Sequence, residues 1–352
     1  MNLLKRLGIS IPIIQAPMAG VQGSALAIAV SNAGGLGSLP TAMFGTDALR
    51  AELKSLRAGT NRPFNVNCFC HTPPAVDAAR EAAWRNSLAG YYREFSIDPN
   101  SIPEGGGRRP FDAAMADLLS EFAPPVVSFH FGLPSADLVD RVKAWGATVL
   151  SSATTVDEAC WLEDHGADVI IAQGVEAGGH RGMFLTTDVT TQVGTFALLP
   201  QIIRAVKVPV VAAGGIADAR GVAAVMTLGA AAAQLGSAYL LCPEATTSAL
   251  HRAALKSEAA RHTAVTNVFT GRPARGIVNR IVREQGPMSA SVPAFPLGGA
   301  ALAPIRAKAE AQGNGDFSPL WCGQNPTGFR EIPAAELTRE LARELPAGFD
   351  AA

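Results

Sequence analysis

The stretch "HGADVIIAQG", residues 165–174, decides the architecture. A glycine stands where a helix must stop, a short apolar run follows at once, and a second glycine ends it. Glycine enters the left-handed conformation that closes a helix without a Cβ penalty, and a brief, continuous apolar run reads as a strand buried on both faces. "WGATVL" (145–150) and "LGAAAA" (228–233) repeat the joint. Working outward, eight such runs recur, each followed by Gly or Pro and then by an Ala-rich segment of helical period: "IPIIQAPM", "GGLGSLP", "FNVNCFC", "PVVSFHFG", "ATVLSSA", "ADVIIAQG", "VPVVAAGG" and "AAAAQLGS". Strand and helix in strict alternation predict an α/β protein with a parallel sheet, and eight units predict a (β/α)8 TIM barrel over an open doubly wound sheet.

Two stretches interrupt the rhythm. Residues 73–124 contain "HTPPAVDAAREAAWRNSLAGYYREF" and "PNSIPEGGGRRP", a helix, a long loop and a helix between the third and fourth strands. Residues 242–320, after the eighth strand, hold helices and the Pro/Gly-rich "GPMSASVPAFPLGG". The expected division is therefore a barrel over 1–241 with an insertion at about 73–124, an inserted, mainly helical substrate-binding or lid region over 242–320, and a return to the barrel over 321–352 that ends in an amphipathic helix within "AAELTRELARELPAGF". Both excursions leave from the face on which barrel enzymes build their sites.

Of the 352 residues, 48% are hydrophobic and 17% charged, ample for a large core and contrary to disorder. A net charge of −1 provides no electrostatic footprint for nucleic acid or an anionic membrane. No apolar run approaches the about 18 residues of a membrane span, and no apolar segment follows the basic start "MNLLKRLGIS" as in a secretory signal. Five scattered cysteines (Cys68, Cys70, Cys160, Cys242, Cys322) lack disulfide or zinc spacing. These features predict a cytoplasmic protein of small-molecule chemistry, a monomer or homodimer without nucleic-acid, membrane or metal partners.

In a barrel the polar residues at strand ends meet at one mouth. After the seventh and eighth strands, "AAGGIADARG" and "QLGSAYL" place Gly214, Gly215, Gln234, Gly236 and Ser237 where backbone N–H groups bind a phosphate without a cation, with Asp218 as the next helix cap. Gln15, Asn67 and Gln173 end their strands with amides, which suit the flat heteroatom edge of a flavin or a nucleobase. After the sixth strand, Gly178 and Gly179 allow close approach to a flat ligand and turn His180 inward, where an imidazole can take a proton or steady an anion. His71, His130 and His180 together number the ligands of a catalytic zinc, yet neither His-x-His nor HExxH is present. GxGxxG after the first strand and a Walker A loop are also missing.

Taken together, "IIQAPMAG", "NVNCFCH", "VVSFHFGLP", "SSATTVDEA", "AQGVEAGGHRG", "AAGGIADARG", "QLGSAYL" and "GRPARGIVNR" resemble the nitronate monooxygenases, formerly 2-nitropropane dioxygenases, over residues 11 to about 325. "NVNCFCH" and "SFHFG" resemble the class I branch. The resemblance implies an FMN-dependent barrel that oxidises alkyl nitronates, and nitroalkanes where a base is available, with O2 to a carbonyl compound and nitrite, through one-electron transfer to FMN. It makes His180 the catalytic residue, as base or anion stabiliser; His130 and His71, placed at the mouth by their strand ends, are expected to hold the substrate. FMN would contact Ala16, Pro17, Met18, Asn67, Gln173 and Gly178, with its phosphate against Gly215 and the turn Gln234, Leu235, Gly236 and Ser237. Ser237 departs from the family's threonine but keeps the hydroxyl. Two alternatives compete: an NAD(P)H-dependent FMN reductase acting on enoyl thioesters or quinones, which shares the Gly-Gly-His loop, and a non-enzymatic binder of flavin or a phosphate-bearing ligand. "NVNCFCH" speaks against the first and the density of titratable groups against the second.

Overall fold

A computed structural model describes residues 2–102 and 108–345. In chain order its strands are β1 (Ile13–Gln15), β2 (Gly37–Pro40), β3 (Phe64–Phe69), β4 (Val126–His130), β5 (Thr148–Ala153), β6 (Val169–Gln173), β7 (Gly179–His180), β8 (Val210–Ala213), β9 (Ala232–Leu235), β10 (Thr263–Thr266) and β11 (Ala274–Ile277). β1–β6, β8 and β9 pair in parallel in the order β1-β9-β8-β6-β5-β4-β3-β2. Between the two end strands, the Gln15 amide donates to Leu36 O and the Leu36 amide to Ile13 O, both at 2.9 Å, which closes the ring. All eight expected runs are strands of a TIM barrel.

The joints behave as their glycines dictate. Gly146, Gly166 and Gly229 have φ of +87°, +97° and +99°. At the middle one, Gly166 N donates to Glu163 O (3.1 Å) and Ala167 N to Leu162 O (2.9 Å), the bond pair that satisfies the last carbonyls of a helix. Strand alternation then sorts the side chains. Ile14, Leu36, Val126, Leu150, Val169, Ile171 and Val211 fill the barrel, while Ile13, Val127, Val149, Ile170 and Val210 pack outward under the helices. The N-terminal helix Leu3–Leu7 stoppers the end where the strands begin: Leu3, Leu4 and Leu7 join the interior cluster, and Arg6 pairs with Asp168 at 2.6 Å just before β6.

Toward the opposite end the interior turns polar. Asn65 Nδ2 donates to Ser38 Oγ (3.0 Å) and Ser128 Oγ (2.8 Å). Gln15 belongs to this layer and not to the mouth, contrary to the reading of its amide as a ligand contact. Its side chain is fully buried, donating to Gln22 Oε1 (2.7 Å) and accepting from Ser38 N (2.9 Å), so nothing is left for a ligand.

The two excursions build one second core. Trp84, Leu88, Tyr92 and Phe95 from the first pack against Val268, Ile281, Leu302, Ile305 and Phe317 from the second. Trp84 Nε1 donates to Gly298 O (3.2 Å) and Tyr92 OH to Ala301 O (2.8 Å). The expected helix of the first excursion is two, Ala78–Ser87 and Ala89–Glu94; part of its long loop, 103–107, lies outside the described residues. The second excursion is less helical than expected, because β10, β11 and β7 form an antiparallel sheet. The last helix is Ala334–Leu341, with Ala334, Leu337 and Leu341 against the barrel core; its expected continuation beyond 345 lies outside the described residues.

Candidate active site

The C-terminal strand ends open into one cavity. Ala16, Pro17, Met18, Asn67, His130, Gln173, Gly178, His180, Gly215, Gln234, Gly236 and Ser237 line it. Two other expected site residues do not. Leu235 is buried between strand and helix layers and only its carbonyl, which accepts the Ala16 amide at 2.8 Å, reaches toward the rim. His71 is buried behind the wall, edge-on to Phe295 at 4.8 Å between ring centres.

The loop after β6 is held from several sides. Gln173 Nε2 donates to His180 O (3.0 Å) and Gln173 Oε1 accepts from Gly182 N (2.7 Å), so this amide clamps the loop across itself. Arg181 is fully buried and donates to Gln173 O (2.7 Å), Gly174 O (2.8 Å) and Gln192 Oε1 (2.8 Å). β7 pairs with β11, His180 opposite Ala274. The two glycines serve different ends. A Cβ on Gly178 would stand 2.6 Å from Gly323 N, so its bareness admits the returning chain; Gly179 has φ +74° with open space around it, on the cavity wall.

His180 Nε2 lies 2.9 Å from Thr270 Oγ1, and Thr270 Oγ1 lies 3.4 Å from Arg272 O. With the hydroxyl donating to that carbonyl, Oγ1 accepts from His180 Nε2–H, which leaves the Nδ1 lone pair free of protein partners among the described residues. Aromatic rings surround the imidazole: Phe295 at 5.4 Å, Trp321 at 5.5 Å, Phe131 at 6.0 Å and Phe69 at 6.3 Å between centres. Burial, then the positive charge of Arg108, hold its pKa well below the ordinary value, so the ring is neutral at pH 7.

His130 also lines the cavity, but both of its nitrogens are taken: Nδ1 lies 2.6 Å from Ser152 Oγ and Nε2 3.2 Å from His180 O. Burial, aided by Arg272, pushes its pKa down to about 3. His71 Nε2 donates to Arg108 O at 3.1 Å, and burial lowers its pKa to about 4. Both rings brace the walls around His180.

On the opposite side no lysine or arginine lines the cavity among the described residues. Gly214 and Gly215 have φ of +113° and +73°. The amides of Gly215, Gly236 and Ser237 find no backbone acceptor among the described residues, Ser237 because it opens a 3-10 turn, Ser237–Tyr239. Gln234 Oε1 is buried without a partner, a donor-seeking atom on the wall. Asp218 caps Ala219–Thr227 by accepting from Gly221 N (2.8 Å). Glu176 is spent on another helix start, taking the Thr195 amide at 2.9 and 3.0 Å.

Several lining residues escape a reading by strand ends. Arg108 comes from the first excursion, Trp321 and Gly323 from the return segment, and His251 from helix Ala249–Leu255, its Nε2 3.0 Å from Trp321 O. Phe131 and Thr270 stand around His180. The one legible signal was "SFHFG", whose Phe131 adopts φ +71°.

A profile of the nitronate monooxygenase family matches residues 2–344. Nitronate monooxygenase of Pseudomonas aeruginosa is 44% identical over 348 residues, 96% of this chain and 97% of its own length. That of Paraburkholderia phytofirmans is 44% identical over 345 residues, 97% and 94%. The chain belongs to the nitronate monooxygenase family of enzymes. Among solved structures, nitroalkane oxidase from Streptomyces ansochromogenes superposes on this family member with a TM-score of 0.89 at 40% identity, covering 98% of each chain. FabK from Thermotoga maritima has a TM-score of 0.74 at 28% identity, covering 97% and 94%.

Proposed function

We propose that this enzyme binds FMN and oxidises alkyl nitronates with O2 to a carbonyl compound and nitrite. One observation carries the reading: a neutral imidazole with a free Nδ1 overlooks the cavity on whose far side bare amides offer a place for a phosphate. The donor set fits the cofactor. The unpaired amides of Gly215, Gly236 and Ser237 suit a phosphate, the orphaned Gln234 Oε1 and the Oδ1 of Asn67, whose Nδ2 is held by Ser128, suit a donor on a flavin edge, and the backbone of Ala16, Pro17 and Met18 completes the wall. Bound there, FMN supplies acceptance of electrons from the substrate carbanion.

The chain's own residues do the rest. A nitronate arrives already deprotonated and needs no base; a neutral nitroalkane needs one, and His180 Nδ1 is the acceptor in the tautomer whose Nε2–H donates to Thr270 Oγ1. The aromatic rings keep water from the proton's path. Gln173, Arg181 and β11 fix the loop, so the imidazole is placed before substrate arrives.

The test is the purified yellow protein under air with propan-2-nitronate or propionate 3-nitronate. Nitrite release with O2 uptake is expected. Flavin bleaching by NADH or NADPH without oxidation of a nitronate would identify a reductase instead, and a protein that takes up no FMN would leave the reading without its cofactor.

A further inference from the structure

We propose that Arg108 is the anion-binding, specificity-determining residue of the cavity, selecting the ionised nitronate over its neutral nitroalkane parent. The inference rests on the proposed reaction. Arg108 lines the cavity, with its guanidinium 5.5 Å from the centre of the Phe295 ring that flanks His180. Its side chain makes neither an ion pair nor a hydrogen bond with any described residue; Arg272, the other nearby arginine, is not on the cavity lining, donating to Met183 O and lying 3.9 Å from the Phe131 ring centre. A half-buried guanidinium carries five donors that want oxygen acceptors, and a flat pair of oxygens sharing one negative charge matches that fork.

Among the described residues no carboxylate pairs with it. Glu176, the acidic side chain on the wall, is committed to the Thr195 amide and hydroxyl. The neighbouring histidines are uncharged, and neither ring offers a competing donor: His130 has both nitrogens engaged, and His71 spends Nε2 on the Arg108 carbonyl. That bond also fixes the backbone from which the guanidinium reaches inward. The ionised oxygens of a nitronate would therefore find their countercharge in Arg108, while a neutral nitro group would gain much less.

The test uses the FMN-loaded protein and two unreactive probes followed by calorimetry: nitrate, a planar monoanion, and nitrobenzene, a neutral nitro compound without a removable proton. Arg108→Met should weaken nitrate by about 10- to 100-fold and nitrobenzene by less than about threefold. Arg108→Lys should recover most of the nitrate affinity, and Arg108→Gln gives a second neutral variant should the methionine lose its flavin. In turnover, kcat/KM for propan-2-nitronate should fall by a similar factor, mainly through KM. Equal nitrate binding in parent and R108M, or equal loss of both probes, would overturn the proposal. If the parent oxidised no nitronate yet the nitrate contrast persisted, the anion site would stand and the assigned reaction would fall.

Discussion

The two sides of the cavity solve opposite electrostatic problems. Around Gly215, Gly236 and Ser237 the wall is bare backbone, with unpaired N–H groups and no cation, suited to a permanently charged group bound for the life of the protein. Around His180 it is aromatic and cationic, with neutral imidazoles and an unpaired guanidinium, suited to a small anion that comes and goes. The first side hangs on the barrel and on the return segment, whose Gly323 N donates to Ser237 Oγ and whose Asn325 Nδ2 donates to Gly215 O, both at 2.9 Å. The second hangs on the barrel's loops together with the second core, so the difference teaches that the two walls lean on different parts of the chain, and that on the proposed reading a defect in the second core should reach substrate handling before cofactor retention.

The sharpest way to break that separation is His180→Asn. Turnover of neutral nitroalkanes should fall by about 10²- to 10⁴-fold, the usual worth of a general base, with FMN still bound and a much smaller loss for preformed nitronates; nitrite assays on both substrates and the visible spectrum check it. Parent rates with nitroalkane would remove the base role. Next in size is Trp84→Ala in the second core. Removing a fully buried indole should cost about 3–5 kcal/mol of stability in that region, read by urea unfolding, and raise KM for nitronate while the flavin stays. Flavin loss at an early stage of unfolding would show that the two sides are one unit.

A pH experiment separates them in another way. Folded His71 stays neutral down to about 4, whereas unfolded His71 protonates near 6.5. Between those values the unfolded chain holds more protons, so stability falls as pH drops through the window; above it and below it this residue contributes no slope. His71→Asn should therefore cancel up to about 3 kcal/mol of acid destabilisation between pH 6.5 and 4, measured as thermal midpoints of parent and variant. The smallest expected effect is Gly215→Val. An L side chain at φ +73° is strained by about 1–2 kcal/mol, and the FMN dissociation constant should rise about tenfold with nitrate binding at Arg108 and the acid slope unchanged. Titration of the apoprotein with FMN decides it.

Legibility in the sequence follows how local each cause is. The barrel could be read because Gly146, Gly166 and Gly229 announce helix ends by their own backbone freedom, and the rim glycines because the topology fixes which strand ends meet. Gln15 misled, because strand direction alone does not say how deep an amide sits; Gln22 Oε1 and the Ser38 backbone amide consumed it. The second core was hidden because Trp84 and Phe317 are far apart in the chain and neither carries a local signal of the other. β7 is two residues long, below any periodicity, and exists only because Ala274 and Arg275 lie alongside. Arg108 stayed invisible because the aim of a side chain on an insertion is set by what the insertion packs on.

The leucine stopper at the barrel's base has a kinetic corollary. Together with the packed interior it shuts the base of the barrel, so no route to the cavity runs through that end. On the proposed reaction, nitronate, oxygen and the carbonyl product would all travel by the strand-end side, and variants of the stopper should shift thermal stability while leaving KM alone.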